Sequence, residues 1–552
     1  MLPRDPRPHG AVLETGSSAA RRARGVLALA TLVGLLALAP MVVFPYFEDT
    51  ALVAAVARWK LAGARLYVDV FDHKLPVVYW EAMLRVAVFG RSSLALRAHE
   101  LFSILLCAFS LSKVTAALAG DSSRPFVRGL TVVCTACASS TAAWQLAERG
   151  QVEMLQLGWI SASAAAALAS VSAAPGRRSR ILAFAAGAAL AWASAMKPQA
   201  LAAIPGLVWA LGTRRGEAIA TIAAFGTGIL LVALAVLGGL FVHGEAQGLW
   251  ELVFEHQPAY LAASGLSRWH ALSQLRMFVS ASVRLEVVLA VAAVGAVATV
   301  RAARADARAR AAAAIVFGLA FYGLAAFVGG RFGFWYHAIA FIPSVSMLFA
   351  SGAAATWHAL AARVGAVPST IVGSALGLAL VVNPAWQRSA VALGEVVSGE
   401  RTLDSVWDEW GRERHYYRYG TELAAARQLN RRSRPGDELF VAGLSAVTYL
   451  EARPRPACRH LVTIFAHMPG YARSGVVRDE IARCLDVRRP RFILVRTSDI
   501  WPWFGVMTSS LERFVRDPVL GPIMERHYRP LGTIRRESIL YERCSPSPCA
   551  SP

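Results

Sequence analysis

The chain has 552 residues, of which 56% are hydrophobic and 17% charged, and its mean hydropathy is +0.45. These values exclude a soluble globular protein of this length and indicate a polytopic membrane protein. The net charge of +21 comes from arginines in short loops between apolar runs, where arginine acts as an orientation signal. We therefore exclude nucleic acid as a partner.

Apolar runs predict an α-helical membrane domain over residues 25–383, with about 11 transmembrane helices. Loops rich in arginine alternate with loops poor in it, and a count of 11 spans places all the arginine-rich loops on one side of the bilayer. This pattern predicts a cytoplasmic tail over residues 1–24 and a first extracytoplasmic loop over residues 45–93. The runs lie near residues 26–44, 94–118, 129–146, 154–173, 181–196, 199–211, 218–242, 283–300, 311–328, 338–354 and 370–382.

The first loop combines charged and aromatic residues directly behind an apolar run. Ionisable groups at a membrane edge are costly to desolvate, so their concentration there indicates a functional site. Aromatic side chains between the charges favour a segment that lies in the membrane interface over an ordinary solvated loop. Within residues 48–80 the acids are Glu48, Asp49, Asp69 and Asp72, and the lysines are Lys60 and Lys74.

The remainder of the chain, residues 384–552, is more polar and predicts an extracytoplasmic α/β domain. A helical TELAAARQLNRRS segment precedes the apolar strand ELFVAG, and a second helix precedes the strand RFILVR and a final hairpin. Cys458, Cys484, Cys544 and Cys549 would lie in an oxidising compartment and could form disulfides there. The other three cysteines lie within predicted spans, which favours a packing role.

The first loop contains a G-x-x-x-Y-x-D-x-F-D-x-K-x-P segment behind an acidic pair, and this arrangement resembles the GT-C membrane glycosyltransferases. The most similar groups are the bacterial protein O-mannosyltransferases, the aminoarabinose transferases and their Rgt-like relatives. Further matches follow in the same order along nearly the whole chain. The matching positions are Gly63, Tyr67, Asp69, Phe71, Asp72, Lys74, Pro76, Arg97, Gly150, Gln151, Val152, Glu153, Lys197, Pro198, Trp335, Tyr336, His337 and Pro343.

This resemblance implies transfer of a sugar from a polyprenyl-phosphate donor to an acceptor hydroxyl at the extracytoplasmic face of the inner membrane. A hydroxyl needs a base to take its proton, and the departing phosphate needs a cation. The family places an acid of the first loop in the base role, which implies Asp49. Glu48 stays the alternative because this chain has Glu-Asp where the family commonly has Asp-Glu. The acceptor would be lipid A or core saccharide, another glycan or a protein.

The resemblance also implies binding residues. Lys74 matches the lysine of the family's Lys-Pro-Pro segment, here Lys-Leu-Pro, and would bind the donor phosphate together with Lys197 and Arg331. The chain has only 4 lysines against 53 arginines, which favours a specific use for a lysine at a motif position. The expected sugar or acceptor contacts are Glu153, Asp69, Asp72, Tyr336 and His337.

Other interpretations stay open for these residues. Asp49 could cap a helix, Lys197 could reach to the interface beside a helix break, and Glu153 could pair with Arg149. No spacing of residues identifies a metal site, and no cofactor is assigned. A divalent metal stays an open alternative. A secondary transporter or a membrane receptor or assembly protein are the alternative functions.

Overall fold

The computed structural model describes residues 16–120, 123–142, 149–263, 273, 283–329, 335–364, 384–409, 417–544 and 549. Within this part of the chain, 6 helices are long and apolar enough to cross a membrane. The predicted helical membrane protein with a small C-terminal sheet is confirmed. The number of spans stays a prediction, since the eleventh apolar run lies outside the described residues. The 6 segments are Ala23–Val43, Ser93–Ala116, Val152–Ser172, Ala218–Val242, Ala307–Gly329 and Tyr336–Ala359.

The membrane half contains long helices and several short ones at its edges. A 3-10 turn covers Ala39–Val43, another covers Pro198–Ala203, a π-helical turn covers Glu251–His256, and a 3-10 turn covers Trp335–Phe341. The α-helices are α1 (Gly16–Leu38), α2 (Glu48–Leu61), α3 (Pro76–Phe89), α4 (Ser93–Ala116), α5 (Arg124–Ala142), α6 (Val152–Ser172), α7 (Arg177–Ser194), α8 (Ile204–Gly212), α9 (Ala218–Val242), α10 (Ala246–Trp250), α11 (Gln257–Ala263), α12 (Val283–Ala302), α13 (Ala307–Gly329) and α14 (Ile342–Val364).

Glycines allow neighbouring helices of this half to approach closely. A Cβ atom on Gly187 of α7 would lie 1.9 Å from the Phe225 carbonyl oxygen of α9, and one on Gly228 of α9 would lie 2.2 Å from the Phe184 oxygen of α7. No other residue fits at such a distance. Small residues at helix contacts are typical of membrane proteins, where lipid is as apolar as leucine and close packing drives association.

The C-terminal half is an α/β domain built on a five-stranded sheet with the order β2-β1-β3-β5-β4. β1 pairs in parallel with β2 and β3, whereas β5 pairs antiparallel with β3 and β4. β3 is buried along its whole length, as a central strand requires. The strands are β1 (Glu438–Ala442), β2 (Arg455–Pro456), β3 (Phe492–Arg496), β4 (Tyr528–Ile534) and β5 (Ser538–Arg543), and the helices are α15 (Pro384–Val397), α16 (Leu403–Glu409), α17 (Tyr419–Arg432), α18 (Ala446–Glu451), α19 (Ser474–Arg488), α20 (Ser510–Arg516) and α21 (Leu520–His527).

The four cysteines of this domain form two disulfides, Cys458–Cys484 and Cys544–Cys549. Cys107, Cys134 and Cys137 are buried and are not part of a disulfide. The pairing follows the division that the sequence predicted, with disulfides in the polar domain and thiols in the apolar spans.

Helix α2 joins the two halves, because it belongs to the first loop and packs on α18 of the C-terminal domain. The Arg58 guanidinium donates to the carbonyl oxygens of Leu450 at 2.7 Å and Ala452 at 2.6 Å. A cation at the last carbonyls of a helix satisfies acceptors that have no partner within the helix. The C-terminal domain therefore lies directly against the loop that carries the predicted site.

Candidate active site

Helix α2 presents Glu48 and Asp49 in its first turn. The N-cap position is Phe47, whose amide donates to the Thr50 hydroxyl at 3.0 Å, so the Asp49 side chain does not cap the helix. Asp49 instead faces Lys74, with 3.6 Å between Oδ1 and Nζ. It also accepts a hydrogen bond from the Gln151 amide at 3.5 Å.

The segment from Tyr67 to Lys74 is folded back on itself by hydrogen bonds. The Tyr67 hydroxyl donates to the Lys74 carbonyl oxygen at 2.8 Å, and the Tyr79 hydroxyl donates to Asp72 Oδ2 at 2.8 Å. The other oxygen of Asp72 accepts from the His73 amide at 2.7 Å. Pro76, two residues beyond Lys74, begins α3. These bonds fix where the Lys74 side chain can lie.

Asp49, Asp72 and Lys74 form what we call the loop cluster. Lys74 Nζ lies 3.4 Å from Asp72 Oδ2, and the side chains of Lys74 and Asp72 are 8% and 0% exposed. Burial alone would raise the pKa of Asp72, but the charges of Lys74 and His73 hold that pKa well below its usual range. Burial would lower the pKa of Lys74, yet the two carboxylates raise it above its usual value. Asp72 and Lys74 are therefore both charged at neutral pH.

Asp49 is the accessible member of the loop cluster, since 29% of its side chain is exposed. A carboxylate in this position can accept a proton from a bound molecule. The Lys74 ammonium beside it can neutralise an anion that arrives at the same place.

Glu153, Lys197 and His337 form a second group, which we call the span cluster. Lys197 and Glu153 are joined by an ion pair, and His337 Nε2 lies 3.5 Å from Glu153 Oε1. The Lys197 ammonium also lies 5.7 Å from the centre of the Tyr336 ring. Glu153 thus pairs with Lys197, whereas pairing with Arg149 was the alternative interpretation of the sequence.

The backbone at Lys197 is broken, as the Lys-Pro pair predicts. Lys197 is extended between the end of α7 and the 3-10 turn that Pro198 begins. Its carbonyl oxygen accepts a hydrogen bond at 2.9 Å from Gln156, whose own oxygen accepts from the Tyr322 hydroxyl at 2.8 Å. The buried Gln156 side chain thus satisfies a carbonyl oxygen at the helix break.

The two clusters meet at the beginning of α6. Gln151, which contacts Asp49, is the residue before α6, and Glu153 is in the first turn of that helix. Tyr260 of α11 is close to Asp49 and Asp72, and its pKa is raised by burial and by these two carboxylates.

Glu48 points away from both clusters. Its side chain is buried against the C-terminal domain, where Glu422 and Arg496 form an ion pair at 3.5 Å. Burial, followed by the nearby charge of Glu422, raises the pKa of Glu48 well above its usual value. Of the two acids, only Asp49 is therefore placed beside Lys74.

The remaining two residues of the predicted site are Asp69 and Arg331. Asp69 accepts hydrogen bonds at 3.0 Å from Arg65 at the surface, and this pairing lowers the pKa of Asp69. This geometry gives the predicted sugar or acceptor contact no support. Arg331 lies outside the described residues.

Sequence reasoning gave no role to His73, Tyr79 or Tyr260. His73 and Tyr79 lie close to Lys74 in the sequence, so their contacts with Asp72 could be expected from proximity alone. Tyr260 has no comparable signal, because only the folding of α11 over the first loop brings it near Asp49. Among the described residues, no group of three or more His, Cys, Asp or Glu side chains is placed to hold a metal ion.

No family model and no curated protein sequence matches the chain. Its structure is similar to ArnT from Cupriavidus metallidurans bound to undecaprenyl phosphate, with a TM-score of 0.56, 15% identity, and coverage of 96% of this chain and 99% of that one. For ArnT in the apo state the TM-score is 0.55, the identity 15%, and the coverage 95% and 98%. For the Archaeoglobus fulgidus oligosaccharyltransferase in complex with Zn and sulfate, the TM-score is 0.50 and the identity 11%, with coverage of 94% of this chain and 73% of that one. The chain therefore has the GT-C fold of membrane glycosyltransferases.

Proposed function

We propose that this protein is a membrane glycosyltransferase that moves a sugar from a polyprenyl-phosphate donor to an acceptor hydroxyl. The observation that carries the proposal is the accessible Asp49 carboxylate 3.6 Å from the buried Lys74 ammonium. The fold adds support, since ArnT, which shares it, was crystallised with undecaprenyl phosphate. The acceptor class is a glycolipid such as lipid A with its core saccharide, another glycan or a protein.

The reaction assigns opposite tasks to the two charges. Asp49 takes the proton of the acceptor hydroxyl as its oxygen forms a bond to the anomeric carbon of the sugar. The bond between that carbon and the phosphate oxygen breaks, and the lipid phosphate leaves with the bonding electrons. Lys74 neutralises the charge that develops on the phosphate, while Asp72 and Tyr79 hold the loop around this lysine.

The span cluster binds the reactants on the other side of Asp49. The Lys197 side chain is 25% exposed and supplies a second cation for the donor phosphate. Glu153, Tyr336 and His337 contact the sugar or the acceptor, and Arg331 remains a donor-phosphate residue by its position in the sequence. A carboxylate near a sugar is suited to accept hydrogen bonds from its hydroxyls.

The orientation of the protein follows from the arginine pattern. The active site and the domain of residues 384–552 face the extracytoplasmic side of the inner membrane. Reporter fusions after Arg310 and after Arg401 should report opposite sides of the membrane. If both fusions report the same side of the membrane, the result contradicts this topology.

A donor assay tests the activity. Membranes that contain the protein are incubated with a panel of radiolabelled undecaprenyl-phosphate sugars, beside membranes that contain equal amounts of Asp49→Asn. We expect consumption of at least one donor and release of undecaprenyl phosphate only with the parent protein. A transporter would move the label without cleavage, and a receptor would leave the donor intact, so either result would contradict the proposal.

A further inference from the structure

The first loop is attached to the C-terminal domain at Phe71, directly before Asp72 and Lys74 of the loop cluster. Phe71 forms a parallel β-bridge with His460, and the Phe71 amide donates to the Arg459 carbonyl oxygen at 2.7 Å. The residue after Phe71 is Asp72, whose carboxylate contacts Lys74. A displacement of Phe71 would therefore move the loop cluster directly.

The Arg459 side chain connects three separate segments at this bridge. Its guanidinium donates to Glu480 of α19 at 2.8 and 2.9 Å and to Glu251 of the π-helical turn at 2.8 and 3.0 Å. The same group lies 5.5 Å from the centre of the Phe71 ring and 3.5 Å from the Tyr67 carbonyl oxygen. The planar guanidinium donates hydrogen bonds to the two carboxylates in fixed directions, and an ammonium group does not reproduce this geometry.

His460 strengthens the connection to α19. Its Nε2 atom lies 2.6 Å from Glu480 Oε2, and the His460 ring packs against Phe71 with 5.6 Å between ring centres. Burial alone would raise the pKa of Glu480, but the hydrogen bond with His460 and the charge of Arg459 lower that pKa to about 2. Glu480 is consequently a carboxylate at every pH at which a membrane enzyme is assayed.

The disulfide Cys458–Cys484 joins the same two segments covalently. Cys458 directly precedes Arg459, and Cys484 lies one turn beyond Glu480 on α19. The disulfide and the Arg459–Glu480 ion pair thus both join the segment around Arg459 to α19. Cys544–Cys549 instead lies beside α21, where the Cys544 amide donates to the His527 carbonyl oxygen and the Cys549 amide to that of Arg526.

We propose that Arg459, held by Glu480, Glu251 and the Cys458–Cys484 disulfide, is a positioning residue that sets the place of Lys74 for the donor phosphate. This inference rests on the proposed function. It gives the C-terminal domain a part in catalysis, which Arg459 exerts through Phe71 and Lys74. A shift of about 1 Å in a reacting group is enough to cost on the order of a hundredfold in rate.

Direct binding of undecaprenyl phosphate to the purified full-length protein tests the proposal. Arg459→Ala and the double variant Cys458→Ser/Cys484→Ser should raise the Kd for this probe about tenfold, because both release Phe71 and with it Lys74. Arg459→Lys should fall between the parent and Arg459→Ala, since it keeps the charge and loses the paired hydrogen bonds. The double variant Cys544→Ser/Cys549→Ser is the matched control and should bind as the parent does.

Size-exclusion chromatography of each variant separates positioning from folding, because Kd is measured on the folded fraction alone. If Cys458→Ser/Cys484→Ser does not fold, Arg459→Ala, which keeps both disulfides, decides the question. Parent-like Kd values for the folded Arg459→Ala protein would overturn the inference. Absence of binding by the parent protein would instead overturn the proposed function, so the two failures are distinguishable.

Discussion

Both the loop cluster and the span cluster contain a lysine and a carboxylate. The carboxylate is the more exposed partner in the loop cluster, whereas the lysine is the more exposed partner in the span cluster. In the loop cluster the lysine is buried and Asp49 is 29% exposed, whereas in the span cluster Glu153 is 3% exposed and Lys197 is 25% exposed. An accessible carboxylate can serve an incoming hydroxyl as base, and an accessible ammonium can meet an incoming anion. Lysine–carboxylate pairing alone therefore does not define a role. The exposed member of each pair is the charge that an incoming reactant meets first.

The largest effect among the lysines is expected for Lys74→Ala. The variant leaves Asp49 and Asp72 without their shared cation and the leaving phosphate without a counter-charge, so kcat should fall and the donor KM should rise, together costing about a hundredfold in kcat/KM. Lys74→Arg should recover part of the loss. Initial rates over a range of donor concentrations measure both constants.

Lys113→Ala is the matched control for Lys74→Ala, because Lys113 is exposed on α4 and belongs to neither cluster. Its rates should equal those of the parent. Unchanged kcat/KM in Lys74→Ala would remove the phosphate role from the loop cluster.

Lys197→Ala should change binding more than chemistry. Because Lys197 is the exposed member of its pair, its loss should raise the donor KM about tenfold while kcat changes much less. A drop in kcat as large as that of Lys74→Ala would show that the two clusters are not functionally different. Steady-state kinetics of both variants, measured side by side, make this comparison.

Glu48→Gln should have a small effect on transfer. Burial, followed by the nearby charge of Glu422, raises the pKa of Glu48 well above its usual value and so favours the neutral acid, which glutamine resembles in shape and charge. Transfer rates per folded molecule should stay close to the parent value. A loss as severe as that expected for Asp49→Asn would return the base role to Glu48.

The smallest effect concerns pH and His256, which packs beside the loop cluster at the boundary with the C-terminal domain. Burial, followed by the charge of His73, lowers the pKa of His256 to about 3, so the folded state holds this ring neutral while the unfolded state protonates it below about 6.5. Stability from this group is therefore present above about pH 6.5 and is lost as the pH falls toward 3.

His256→Gln removes this titration, so its Tm in detergent should change less than that of the parent between about pH 7 and about pH 5. Equal pH dependence of Tm in the two proteins would contradict this assignment. The Tyr471 hydroxyl, 2.7 Å from His256 Nδ1, gives the glutamine side chain a partner in the folded state.

Much of the fold could be predicted from sequence because its signals are local. Apolar runs, the arginine alternation and the strands ELFVAG and RFILVR gave the membrane half and the sheet. Helix α3 was missed, since Glu81 and Arg85 interrupt its apolar pattern. Glu81 is in fact buried, and its carboxylate accepts hydrogen bonds at 2.6 Å from the indoles of Trp159 and Trp192. Such tertiary partners leave no trace in the local sequence.

The site could be predicted only in part. The loop motif brought Asp49, Asp72 and Lys74 together, because they lie within one folded segment. The choice between Glu48 and Asp49 needed the structure, since only the direction of each side chain from α2 separates them. The Arg459 connection could not be predicted, because it joins residues that are distant in sequence and carries no recognisable motif.

Donor binding and transfer, measured on the same preparation of Asp49→Asn, test whether Asp49 is the base. The amide keeps the shape of the side chain and loses its basicity, so undecaprenyl phosphate should still bind with a Kd near that of the parent. Single-turnover transfer should be slower by about a hundredfold or more. Transfer at a parent-like rate by folded Asp49→Asn would contradict the assignment of Asp49 as the base and with it the proposed mechanism.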